Sequence, residues 1–188
     1  MNLLVDALPQ VVTVGGASYP VNADFRSCLR SILAFEDPAL TAQEKQAVML
    51  TNLYGEGMPQ DIEGAMQAAT WFMNCGEEPR EADGPRLFSF TKDAKFIFAA
   101  FKQTHGVDLE TAQLHWWKFL ALFMDLGSET TFCQLTSLRK RVKSGKASKE
   151  EREAARDMGD LFDLDDAENM SLEEREAIAQ FEKLIGKR

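Results

Sequence analysis

The chain has 188 residues, 45% of them hydrophobic and 10% aromatic, with a formal net charge of −9. This is enough apolar material for a core of ordinary size, yet no apolar run approaches the roughly 20 residues a membrane-spanning helix needs. The acidic balance disfavours nonspecific nucleic-acid binding as a main activity, and three scattered cysteines, Cys28, Cys75 and Cys133, argue against a disulfide framework or a metal site and fit a reducing compartment.

Residues 1–9 lack the basic start and long apolar region of a secretory signal, so a cytoplasmic protein is expected. Residues 10–22 carry VVTV, two glycines and ASYPV, the signature of a β-hairpin. Gly15 and Gly16 can take positive φ in its turn, and Pro20 confines the second strand to an edge. Asn22 or Asp24 caps a first helix with Phe25, Cys28, Leu29, Ile32 and Leu33 on its inner face. Thr41 and Glu44 form a capping box for a second helix through Ala47, Val48, Leu50 and Leu53. Asp61 opens a third, with Ile62, Ala65, Met66, Ala69 and Met73 along one side and Trp71 and Phe72 widening it. Residues 77–86, rich in charge and proline, read as a loop.

The densest aromatic stretch, residues 88–126, reads as a helical hairpin. Phe90, Ala94, Ile97, Phe98 and Phe101 share one face of the first arm, which Gly106 ends. Asp108 is the expected N-cap of a second arm bearing Leu109, Ala112, Trp116, Leu120 and Phe123. A further helix starts within residues 128–131 and carries Phe132, Leu135 and Leu138. The composition then changes. Arg139, Lys140, Arg141, Lys143, Lys146 and Lys149 form a basic run, and Ser148 with Glu151 makes a second capping box. The helix it opens has Ala154, Ala155, Met158, Leu161 and Phe162 on one stripe. After an acidic break, Ser171 and Glu174 cap a last helix with Ile178, Phe181 and Ile185 at helical spacing. Residues 148–188 hold thirteen acidic and seven basic side chains. The expected architecture is mainly α: an N-terminal two-stranded β-hairpin packed on a helical bundle over residues 1–146, then a charged amphipathic helical arm over 147–188. A chain ending near Lys146 is expected to fold.

The chemical motifs have ordinary structural readings. Gly15 and Gly16 lack the downstream Gly-Lys-Ser/Thr of a phosphate loop. Cys28 has no base within a recognisable pattern. His115, beside Trp116 and Trp117, is expected to be half-buried and satisfied by a backbone group. Asp163, Asp165, Asp166 and Glu168 lack the central glycine and final glutamate of a calcium loop. No catalytic, cofactor-binding or metal-binding residue is assigned, and a non-enzymatic protein is expected.

The segments VVTVGGASYPVNADFR, WFMNCG, FSFTKDAKFIFAAFKQTHGVDL and LHWWKFLALFMDL, in that order, resemble the bacteriophage "gp-fifteen" family of small tail-module proteins from phages and prophages of Gram-positive bacteria. The resemblance covers about residues 1–141, and its most specific parts are residues 22–26, Asp93, Ala99-Ala100-Phe101, Gly106-x-Asp108-Leu109 and residues 114–119. Such proteins are typically encoded between the major tail protein and the tape-measure protein. The resemblance implies a tail-assembly chaperone in the host cytoplasm, binding the tape-measure protein and other tail components and forming homo-oligomers, without membrane or cofactor. The expected partner-binding residues are Met158, Leu161, Phe162, Ile178, Phe181 and Ile185, since sparse amphipathic stripes suit docking of a long helical client. The alternative is a nucleic-acid-associated structural or regulatory phage protein using the basic run 139–149.

Overall fold

The computed structural model describes residues 2–77 and 85–164. The fold is mainly α, with seven α-helices and one antiparallel β-hairpin among these residues. The chain forms two compact units. Of the described residues, the first unit contains 2–77 and Gln113–Ala121, and the second 85–112 and 122–164.

In the first unit, β1 (Val11–Val14) pairs antiparallel with β2 (Ala17–Pro20), Val14 opposite Ala17 across the turn. Gly15 and Gly16 both have positive φ, 56° and 82°, the conformation of the type I′ turn that matches strand twist. Val12 and Val14 face inward, and helix α3 (Ile62–Met73) packs against β1. Helix α1 (Phe25–Glu36) is capped by Asp24, whose carboxylate accepts from the Arg26 amide, and packs on α2 (Ala42–Tyr54), which starts with the Thr41–Glu44 capping box. The buried faces differ in phase from the simplest apolar stripe. Leu33 is exposed while Ser27 and Ser31 are buried on α1. Ala47 is exposed while Lys45 and Met49 are buried on α2. The serines can go inward because Asn22 Nδ2 donates to Ser27 Oγ at 2.8 Å and Ser31 Oγ donates to the Ser27 carbonyl at 3.3 Å.

Residues 113–117 lock this unit together. The Trp116 amide donates to the Ala23 carbonyl at 2.7 Å, and the Phe25 amide donates to the Leu114 carbonyl at 3.0 Å. The next helix, α5 (Trp116–Met124), therefore begins at Trp116, not at Asp108. Asp108 instead closes a turn, accepting from the amides of Glu110 and Ala112. The second arm of the expected hairpin is thus a turn, an extended segment and a short helix (Trp116–Met124), because strand-like pairing with residues 23–25 competes with helix formation. Both indoles are buried: Trp116 Nε1 donates to the Met73 carbonyl at 3.0 Å and Trp117 Nε1 to the Phe72 carbonyl at 2.8 Å.

Gly76, in the turn just beyond α3, lies against the rings of Trp117 and Trp71. Its φ is +77°, and a Cβ there would sit 3.0 Å from the Trp117 ring and 3.2 Å from that of Trp71. Gly76→Ala should lower stability by about 1–3 kcal/mol, from backbone strain and overpacking together, which urea denaturation would measure.

In the second unit, helix α4 (Ala94–His105) ends at Gly106 in the left-handed conformation, as the sequence indicates. Helix α6 (Thr131–Lys143) is capped by Thr130, and α7 (Lys149–Met158) by the Ser148–Glu151 capping box. Phe88, Phe90, Phe123 and Phe132 form a ring cluster with centroids 5.3 to 5.9 Å apart. Leu135 and Leu138 of α6 meet Ala155 of α7 and Phe162 beyond it, with Phe96 and Val142 packed alongside. Residues 146 and 147, where the bundle was expected to end, both lie within this unit. The expected cap at Ser171 and the last helix lie outside the described residues.

Candidate functional site

The basic run begins with a residue that is not on the surface. Arg139 lies at i+4 from Leu135, on the buried face of α6, and has no exposed side-chain area. Its guanidinium grips Asp93 in a bidentate pair, Nη1 to Oδ2 at 2.6 Å and Nη2 to Oδ1 at 3.0 Å. Nε donates to the Phe162 carbonyl at 2.8 Å, Nη2 to the Leu161 carbonyl at 2.7 Å and Nη1 to the Leu87 carbonyl at 3.1 Å. These five contacts match the five N–H donors of the side chain. Asp93 Oδ2 also accepts from the Ser89 amide at 3.0 Å. The site is a structural clamp: two opposite charges removed from water, with every guanidinium donor satisfied by the carboxylate or by one of three carbonyls.

This corrects the reading of Arg139 as a nucleic-acid contact. Burial puts it out of reach of a phosphate. Further along the run, Arg141 binds Glu151 at 2.8 Å and Lys149 lies 3.9 Å from Glu153, so α7 neutralises part of the charge. The signal was in the sequence: Leu135, Leu138, Arg139 and Val142 share one helical face, and an arginine inside an apolar stripe needs a buried acid.

The expected partner-binding residues divide. Met158 and Leu161 are 41% and 38% exposed at the end of α7, where Gly159 turns the chain. Phe162 is 8% exposed and belongs to the core. Ile178, Phe181 and Ile185 lie outside the described residues. Leu161 also lines a shallow depression of about 540 Å³ with Lys92, Asp160 and Asp163. Lys92 Nζ donates to the Asp163 carbonyl at 3.1 Å across it. Three of its four lining residues are charged, so the depression is mainly polar, with Leu161 its one apolar side chain.

The remaining chemical groups are placed structurally. Burial pushes the Cys28 thiol well above its ordinary range and Cys75 up to about 12, so neither supplies a thiolate at neutral pH. His115 is half-buried, as expected. Its Nε2 donates to the Pro9 carbonyl at 2.8 Å, and its Nδ1 accepts from the Trp117 amide at 3.1 Å, capping α5. Burial lowers the His115 pKa, partly offset by the bond to Pro9. The folded pKa therefore lies below the unfolded one, and the unfolded chain binds the proton more readily. Stability from this group is present above the unfolded pKa of about 6.5 and is lost as pH falls toward the folded value. Melting temperature should drop between pH 7 and 5, and His115→Gln should flatten that slope. Among the described residues no cluster of histidine, cysteine or carboxylate could hold a metal, and no helix is long and apolar enough to cross a membrane. Of the acidic turn only Asp163 is described, and it is exposed.

Residues 4–164 match the family described as Bacteriophage Gp15 protein. The chain belongs to that family. No curated protein and no solved structure matches it. The resemblance carried by the motifs stops near Arg141, whereas the Gp15 match runs through α7 to Leu164. The clamp gives a physical reason: Arg139 requires the carbonyls of Leu161 and Phe162, so α7 and its following turn complete the unit that α6 begins. Membership in the Gp15 family makes this a bacteriophage protein of the structural or assembly class.

Proposed function

We propose that the protein is a non-enzymatic tail-assembly chaperone that binds the tape-measure protein in the host cytoplasm during tail morphogenesis. The observation that carries this reading is the Gp15 match over residues 4–164. The exposed pair Met158 and Leu161, with Lys92, Asp160 and Asp163 nearby, supports it by offering a helical client an apolar strip with charged flanks. The same reading includes self-association, since such a chaperone acts in several copies along an extended client. The nucleic-acid alternative loses its first residue to the clamp, and the net charge of −9 opposes it further.

Co-expression of the full chain with tape-measure fragments tests the proposal. A soluble complex should co-purify, and Met158→Asp with Leu161→Asp should weaken it without lowering the melting temperature, because both side chains are exposed. Fragments that stay insoluble and uncaptured in the presence of the folded chain would count against a chaperone role. Undiminished capture by the double variant would move the client surface elsewhere.

A further inference from the structure

The outer edge of β1 has no backbone partner among the described residues. In a two-residue hairpin the closing pair, Val14 and Ala17, exchanges hydrogen bonds, and so does the next such pair, Val12 and Tyr19. The Val21 amide donating to the Gln10 carbonyl at 3.0 Å continues that alternation. The peptide groups of Val11 and Thr13 therefore point away from β2, each offering one N–H and one C=O. Both residues are exposed, Val11 at 48%. The opposite edge differs, because Pro20 has no N–H to offer there. The β1 edge lacks the charge and the proline that guard many edge strands against pairing: its sequence is VVTV.

We propose that β1 docks the β1 strand of a second copy of this chain, antiparallel about a two-fold axis at Val12, to give the continuous sheet β2-β1-β1-β2. The edge specifies an extended backbone, since a helix has spent its amides and carbonyls internally. It is also self-complementary. With Val12 on the axis, the N–H and C=O of Val11 meet those of the partner's Thr13, and Thr13 meets the partner's Val11, for four hydrogen bonds in an isologous contact. On the exposed face each valine then opposes a threonine, a β-branched cross-strand pair. This gives a surface to the self-association included in the proposed function, and it does not depend on tape-measure binding.

Hydrogen exchange of the full chain over a concentration series, beside sedimentation, tests the pairing. Exchange at the Val11 and Thr13 amides should slow by about tenfold or more as dimer forms, the effect of removing edge hydrogen bonds from water. The Ser18 amide, on the far edge, should not respond. Val11→Lys with Thr13→Lys puts like charges opposite one another and should abolish the dimer, whereas Val11→Lys with Thr13→Glu puts opposite charges together and should retain it. Client capture by the monomeric variant reports on tape-measure binding separately. A monomer at every concentration, equal loss of dimer in both charge variants, or protection that appears only when a tape-measure segment is added would each overturn the proposal.

Discussion

Arg139→Ala should destabilise the second unit by about 3–5 kcal/mol, the usual cost of leaving a buried charge without its partner. The Asp93 carboxylate would lose both guanidinium bonds and keep the one from the Ser89 amide, and the carbonyls of Leu87, Leu161 and Phe162 would each lose a donor. Arg139→Lys should fail to restore stability, because an ammonium has three donors and lacks the planar fork that reaches both carboxylate oxygens and three carbonyls. Replacing both charges, Asp93→Ala with Arg139→Met, should cost less than the two single changes combined, since no isolated charge remains. Urea denaturation measures all of these as shifts in midpoint. A midpoint unchanged in Arg139→Ala would show that the clamp contributes nothing to stability.

The second large effect concerns where the folded chain ends. Stopping at Lys146 removes Ala155 and Phe162 from the α6 cluster and two carbonyls from Arg139. Emptying a large aromatic site and stripping a buried charge of partners together cost on the order of 5 kcal/mol or more, comparable with the whole stability of a small domain. A chain ending at Lys146 should therefore lose its second unit, contrary to the expectation drawn from the aromatic stretch and the family motifs it retains. A chain ending at Leu164 retains every clamp contact and should keep it. Limited proteolysis and near-ultraviolet circular dichroism of the two truncations measure the difference; equal behaviour would mean that α7 is dispensable.

Local chemistry was legible in the sequence wherever a side chain serves its own neighbourhood. Asp24, Thr41 with Glu44, Asp61 and Ser148 with Glu151 cap the helices that their spacing indicates, and the two glycines turn the hairpin. What escaped sequence reading depends on partners far along the chain. Asp108 satisfies every rule for a helix start, yet α5 waits for Trp116 because residues 114–116 pair with residues 23–25. The inner faces of α1 and α2 include Ser27, Ser31 and Lys45, which apolar periodicity passes over. Arg139 joined a surface charge run for the same reason: its charge was visible, and the buried acid 46 positions earlier was not. The candidate client surface follows the same rule. A helical stripe could nominate Met158, Leu161 and Phe162 together, but only packing separates the two exposed side chains from the one that fills the core.

The most direct measurement is a paired titration of the full chain at one ionic strength, into a labelled amphipathic segment of the tape-measure protein and into labelled duplex DNA, followed by fluorescence anisotropy. Saturable binding to the segment, weakened by Met158→Asp with Leu161→Asp and accompanied by no binding to DNA, is the predicted result. Binding to DNA with a strong salt dependence, and none to the segment, would contradict the assignment and restore the basic run as the functional surface.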